Sequence, residues 1–482
     1  MKKITRILFS TLLAVALPCI AYAQEAPTGK AWTLQECIDY ALKNNITVKQ
    51  NELNAELSQQ NLVQSQANVL PSVNGNISHN YNFGRTIDPF TNQFATDRVL
   101  SQNFSLSSNV TIFSGLQQYN TIQQNKYSYL ASKYDVDKIK NDVAMNVAMA
   151  YLQVLFSQEL VEIARNQSQI TVAQVERTQK LVDAGSLAKG SLYDIQAQLA
   201  SEELSLANAQ NQLDLSYLTL AQLLELTSME GFSIVKPEIN IPAETTLSAS
   251  PGQIFTTALG IQPDIKSAEY KTISSKKSLA VARGGISPRI IFSGSIGTGY
   301  SGIAQRLAVP SAYTGTFDTV GVTTAGDFVL TPGISDPQFE TTPFSDQVND
   351  NFNQSFGVFV TIPIFNGLQT KTSISRAKIS MESSQLSLQL AKNQLQKNIQ
   401  QAYADANAAL KKYAATEKTV QAMEESFKYM QQRSDVGMVN AVDYNVSKNN
   451  LTKARSELLQ AKYDYVFKTK VLDFYQGKPL AF

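Results

Sequence analysis

Residues 112 to 117 read IFSGLQ, residues 364 to 369 read IFNGLQ, and the offset of 252 between them holds for more than 100 residues without a gap. At that offset Ile122 pairs with Ile374, Lys126 with Lys378, Tyr151 with Tyr403, Gly185 with Gly437, and Leu199, Leu206 and Leu220 with Leu451, Leu458 and Leu472. Upstream a second offset, 217, pairs Ala41 with Ala258, Lys49 with Lys266, Glu52 with Glu269 and Pro71 with Pro288. The offsets differ by 35, so the second copy carries a 35-residue insertion between Pro288 and Ile364. Whatever one copy folds into, the other must fold into as well.

Each copy has the order helix, strand, loop, strand, very long helix, turn, helix. The opening helices are expected over about 33–68 and 251–283, ending before Pro71 and before Gly284, Gly285 and Pro288. After Pro71 the period becomes two, with Val73, Gly75, Ile77, His79, Tyr81 and Phe83 alternating with Ser and Asn. Phe104, Leu106, Ser108, Val110 and Ile112 continue the pattern, and so do Ile290, Phe292, Ile296 and Tyr300 and then Phe356, Val358, Val360, Ile362 and Ile364. Four strands with one apolar face and one Ser, Asn, Thr and Gly face match transmembrane barrel strands. Aromatics near both strand ends, Phe113 and Phe365 at one and Tyr81, Phe83, Tyr300 and Phe352 at the other, suit two interfacial girdles.

Residues 116–184 and 368–436 contain neither Pro nor Gly, so each stretch can run as one helix of ~100 Å at 1.5 Å per residue. The returning helices carry strict heptads, Leu192, Leu199, Leu206, Leu213 and Leu220 in one copy and Tyr444, Leu451, Leu458, Tyr465 and Leu472 in the other. A seven-residue repeat winds a left-handed coiled pair. Four strands cannot close a barrel, and open edges are not tolerated in lipid, so copies of the chain must pool strands. Periodicity alone does not choose between two copies and three.

The N-terminus has Lys2, Lys3 and Arg6 ahead of an apolar run and then Ala21-Tyr22-Ala23, a secretory signal. Pro18 before Cys19 argues against lipidation, and cleavage after about Ala23 leaves Cys37 as the sole cysteine, expected to be a buried helix residue. Without the signal, 38 basic residues face 40 acidic ones, which gives no excess of charge for nucleic acid. The lone histidine, His79, lacks partners at ligand spacing, and GSLAKGS at 185 to 191 lacks the G-K-[ST] of a phosphate loop, so neither an enzyme nor a cofactor is expected.

The seam motifs, in register with both long helices and with the turns VDAGSLAKGSLYDIQAQL (182 to 199) and SDVGMVNAVDYNVSKNNL (434 to 451), resemble the TolC family of outer-membrane efflux proteins from about Thr33 to Leu480. That resemblance implies a mainly α fold with transmembrane β, in which a homotrimer forms a twelve-stranded barrel, four strands per chain, above a periplasmic coiled-coil tunnel. It also implies an outer-membrane channel that works with a periplasmic adaptor (membrane fusion protein) and an inner-membrane transporter of RND or ABC type. The cargo would be small molecules or proteins. The expected organisation is a signal peptide at 1–23, repeats at 24–230 and 250–475, a linker at 231–249 packing as a belt, and a tail at 476–482.

By the same resemblance Gly115, Gly367, Pro71 and Pro288 mark strand–helix junctions, and Gly185, Ser186, Leu187, Gly437, Met438 and Val439 form hairpin tips that dock the adaptor. Asp443 would face the periplasmic entrance, with Asp194 supplying a further acid because the next family aspartate corresponds here to Val446. Ser434 and Val439 replace an aromatic and an arginine that link helices in some relatives. The rival readings are a periplasmic coiled-coil scaffold or adaptor without a pore, and a simple porin, which needs more strands and no such helices.

Overall fold

The computed structural model describes residues 31–96, 98–237, 249–436, 438–439 and 441–479. The expected signal peptide, most of the linker at 231–249, Gly437 and the last three residues of the tail lie outside them. In chain order the elements are α1 (Leu34–Asn44), α2 (Ile46–Ala67), β1 (Ser72–Asn82), β2 (Thr86–Ile87), β3 (Phe94–Ala95), β4 (Val99–Ser114), α3 (Gln117–Asp183) and α4 (Lys189–Leu223). The second copy gives α5 (Pro251–Ile261), α6 (Pro263–Gly284), β5 (Arg289–Ser301), β6 (Gln305–Val309), β7 (Tyr313–Val322), β8 (Phe328–Ile334), β9 (Gln338–Thr341), α7 (Phe344–Asp350), β10 (Asn353–Thr361), α8 (Gln369–Asp435) and α9 (Ala441–Tyr475). Both long helices have 67 residues and both returning helices 35, so the duplication is kept to the residue.

The opening helix of each copy is two helices rather than the one expected. In the first copy Asn45 leaves the helical region, and its side-chain oxygen accepts from the amides of Thr47 and Val48, so it caps α2. Its counterpart Gln262 precedes Pro263, whose ring disfavours a helical conformation in the residue before it. Different chemistry thus makes one break. The starts also correspond: Thr33 with Glu36, and Ser250 with Gln253, each form a reciprocal capping box.

The chain forms two compact units, each drawing on both copies. The first comprises Glu56–Ala131 and Ala268–Ser387. Its sheet has the order β1-β4-β5-β10, antiparallel throughout. The register puts Ile77 opposite Phe104, Leu106 opposite Ile296 and Phe292 opposite Val358 on one face, and Asn76 opposite Ser105 and Ser107 opposite Ser295 on the other. A bulge between Thr111 and Phe113 adds one residue to β4 and returns Phe113 to the apolar face, opposite Ile290. β10 ends at Thr361 instead of reaching Ile364, because Pro363 has no amide for the ladder. His79 pairs with Gln102 Nε2 at 2.7 Å.

The insertion folds as two nested ribbons, β7 with β8 inside the connection between β6 and β9, followed by α7. Asp88, fully buried, accepts from the amides of Phe90 and Thr91 and from Ser301 Oγ at 2.7 Å, which ties the loop at 85–98 to the end of β5.

The second unit comprises the described parts of Met1–Ala55, Ser132–Ser267 and Leu388–Phe482. Cys37, Ala41, Val147 and Leu220 lie in one core, and their counterparts Ile254, Ala258, Ile399 and Leu472 in another. Cys37 therefore fills an aliphatic position. α3 is the one helix among the described residues apolar enough to cross a membrane, and half of that window is buried in this way. The described start of the linker pairs with the N-terminal segment: Ile234 bridges Trp32 in parallel, and Tyr151 Oη donates to the carbonyls of Trp32 and Val235.

Candidate functional site

At the first hairpin tip Gly185 adopts φ +74°, and the amide of Ser186 reaches back to the Leu181 carbonyl at 2.8 Å while that of Gly185 reaches Val182. This is a Schellman end, which favours a residue without Cβ. At the second tip the amide of Met438 bonds the Arg433 carbonyl at 2.9 Å, the same link one copy later around Gly437, which lies outside the described residues. Leu187 and Met438 are exposed and Val439 is half-buried. Asp443, in the first turn of α9, and Asp194, in α4, are both exposed.

A polar cluster absent from the sequence expectations lies deeper in the same unit. Lys448 of α9 and Glu202 of α4 come within 3.6 Å with side chains 3% and 7% exposed. Lys448 Nζ donates to Thr171 Oγ1 at 2.6 Å and to the Gln167 carbonyl at 3.2 Å, both on α3. Thr171 Oγ1 donates to Glu202 Oε2, Gln198 Nε2 donates to Glu202 Oε1 at 2.8 Å, and Thr452 Oγ1 donates to Gln167 Oε1 at 2.9 Å. Burial holds the Lys448 ammonium below the ordinary lysine range, with Glu202 opposing the shift. The cluster joins the hairpin of the first copy to the returning helix of the second. The duplication does not require it, since the positions equivalent to Lys448 and Glu202 are Gln196 and Ala454. A signal was present for the lysine, because Lys448 stands three residues before the heptad Leu451, where a coiled pair wants an apolar side chain, while Glu202, three residues after Leu199, falls at the flank of that seam.

At the junctions Gly115 and Leu116 have φ +61° and +60°, and Gly367 and Leu368 have +62° and +65°. Two successive left-handed residues turn strand into helix, at a cost of ~1–2 kcal/mol for each leucine. A Cβ on Gly115 would meet the Gly284 carbonyl oxygen at 2.4 Å, whereas one on Gly367 would meet nothing. Pro71 and Pro288 each stand immediately before a strand. Among the described residues no group of three His, Cys, Asp or Glu side chains is placed to hold a metal ion.

An antiparallel sheet with one lipid-type face, one aqueous face and two edges left open among the described residues, in a chain of 67-residue helices, defines a subunit of an outer-membrane channel of the helical-tunnel class. Comparison with known sequences agrees: the profile of the Outer membrane efflux protein family matches residues 37–225 and 255–477, and the chain belongs to that family. Outer membrane efflux protein BepC of Brucella suis is 21% identical over 436 residues, covering 90% of this chain and 83% of the relative. Outer membrane protein TolC of Escherichia coli is 20% identical over 451 residues, covering 91% and 80%. The crystal structure of the outer membrane protein VceC from Vibrio cholerae superposes with a TM-score of 0.72 at 16% identity, covering 93% of this chain and 96% of that one. The protein is thus an efflux channel of the bacterial outer membrane that extends into the periplasm, and its family is one of transport channels.

Proposed function

We propose that three copies close a twelve-stranded barrel and form the outer-membrane duct of a tripartite efflux or type I secretion system. The observation that carries this is the sheet itself: four strands, with β1 and β10 lacking a partner on their outer sides among the described residues. A lipid-embedded edge leaves its amides and carbonyls unpaired at several kcal/mol each, so another chain must supply them. The open flank of Gly367, beside a Gly115 flank that is filled, supports the same reading.

The tip residues Gly185, Ser186, Leu187, Gly437, Met438 and Val439 would then seat a periplasmic adaptor, and an inner-membrane transporter of RND or ABC type would deliver small molecules or proteins. Exposed Leu187, Val436 and Met438 give those tips an apolar surface to offer. Asp443 and Asp194 would attract cations at the entrance. This reading keeps the organisation into a cleaved signal at 1–23, repeats at 24–230 and 250–475, a linker at 231–249 and a tail at 476–482. The test is the native mass of the detergent-extracted protein after separation of the two membranes. A trimer in the outer-membrane fraction is expected, and a monomer or dimer in soluble periplasm refutes the proposal.

A further inference from the structure

The aqueous face of the sheet is polar along most of its length; at the end away from the helices Val99 is buried opposite Asn82 and the Phe90 ring lies over Gly299. On that face β1 from Ser72 to Asn82, β4 from Ser101 to Thr111 and β5 from Ser293 to Gly299 carry only Ser, Asn, Thr or Gly. Near the ends of β5 and β10 that adjoin the helices, the pattern fails in two strands at one level: Ile291 stands directly opposite Phe359, with Thr111 opposite Ile291 on the other side. Alternation puts Ile291 on the face of Ser293 and Phe359 on the face of Gly357 and Ser355. The ring position confirms the parity, because a Cβ built on Gly357 would lie 3.4 Å from the Phe359 ring. Phe359 is 59% exposed.

The fold does not need these side chains to be apolar. The lipid-type face of the same strand ends already has Ile290, Phe292, Val358 and Val360. Phenylalanine and isoleucine on a wall otherwise made of amides and hydroxyls hold apolar surface in water at a free-energy cost. That cost is relieved only when something apolar lies against them.

We infer that Phe359 and Ile291 form a contact station inside the pore for the aromatic or aliphatic part of a solute in transit, repeated once per copy around the inner mouth of the barrel. The inference rests on the trimeric channel reading. The occupant it commits to is an amphipathic organic molecule, since hydrated ions and polyols gain nothing from an apolar wall. An organic cation gains most, through the face of the Phe359 ring. One turn of contact is weak enough to release, as a duct requires.

The experiment is single-channel recording on the full-length mature protein in planar bilayers, with tetraphenylphosphonium as probe and potassium as the hydrated-ion control. In wild type, tetraphenylphosphonium should produce brief blockades. Phe359→Ser should shorten them roughly two- to fivefold, with potassium conductance unchanged and Phe359→Trp keeping the dwell. Equal dwell times in wild type and Phe359→Ser overturn the inference. Should that variant fail to assemble, Ile291→Ser and the accessibility of Phe359→Cys decide. With Cys37 buried, a charged methanethiosulfonate added to the bath should modify Phe359→Cys and lower conductance. Absence of modification in a conducting trimer places the ring elsewhere and overturns the inference alone, whereas a wild-type protein that is neither trimeric nor conducting overturns the channel reading first.

Discussion

Lys448 and Glu202, on helices from different copies of the duplication, form a buried ion pair at 3.6 Å with Thr171 hydrogen-bonded to both. Removing one partner leaves the other charge without water or counter-charge. Lys448→Met should therefore destabilise the helical unit by about 3–5 kcal/mol. Lys448→Met with Glu202→Leu should recover most of it, because an apolar pair fits a coiled-coil interior without desolvation cost. Guanidinium unfolding of the detergent-solubilised protein measures both, and a double variant as weak as the single would contradict the account.

The same lysine gives a pH dependence. Its folded pKa is pulled below the unfolded value, so between the two the unfolded chain binds more protons, and stability contributed by this site rises with pH up to about 10.5. Wild type should gain relative to Lys448→Met as pH rises through that window. A parallel pair of stability curves would count against it.

Gly115 and Gly367 are sequence equivalents in unequal surroundings. Gly115→Ala combines left-handed strain with overlap against the Gly284 carbonyl and Ser287, and should cost about 2–5 kcal/mol. Gly367→Ala meets open space within the chain and should cost the strain alone, about 1–2 kcal/mol. By the duplication, the residues that would face Gly367 from a second copy are Ala67 and Leu70, the counterparts of Gly284 and Ser287. Gly367→Ala should accordingly lower trimer yield more than monomer stability, as read by native mass against thermal unfolding.

Cys37 is fully buried, and burial, with Glu36 beside it, pushes its thiol up to about 12. Only thiolate reacts readily, so native protein at pH 8 should resist iodoacetamide and become labelled once unfolded. Mass spectrometry before and after guanidinium reads this directly. Stoichiometric labelling of the folded protein would show that the α1 region opens.

Asp443 is exposed in the first turn of α9. If three copies ring the entrance, Asp443→Ala should reduce cation selectivity at 0.1 M salt. The difference should shrink at 1 M, where the Debye length falls to about 3 Å. Unchanged selectivity at low salt would remove Asp443 from the entrance, and Asp194→Ala provides the parallel measurement.

Much of this protein can be read from periodicity. Two-residue alternation assigns each strand a lipid-type and an aqueous face, a Pro- and Gly-free stretch of nearly 70 residues fixes each long helix, and the offset of 252 repeats the helices to the residue while β10 stops short of the counterpart of the β4 end. Those features lie within single elements, where backbone geometry alone relates neighbouring side chains. The break at Asn45 was hidden because it depends on a side chain turning back to cap the next helix, whereas Pro263 marked the break at Gln262 in the sequence itself. The pairing of Lys448 with Glu202, the approach of Gly115 to Gly284 and the opposition of Ile291 to Phe359 join residues far apart in the chain. Each depends on how helices pack or strands register, and a repeat in sequence leaves that open: two equivalent positions acquire different neighbours once tertiary structure buries one and leaves the other for a second copy.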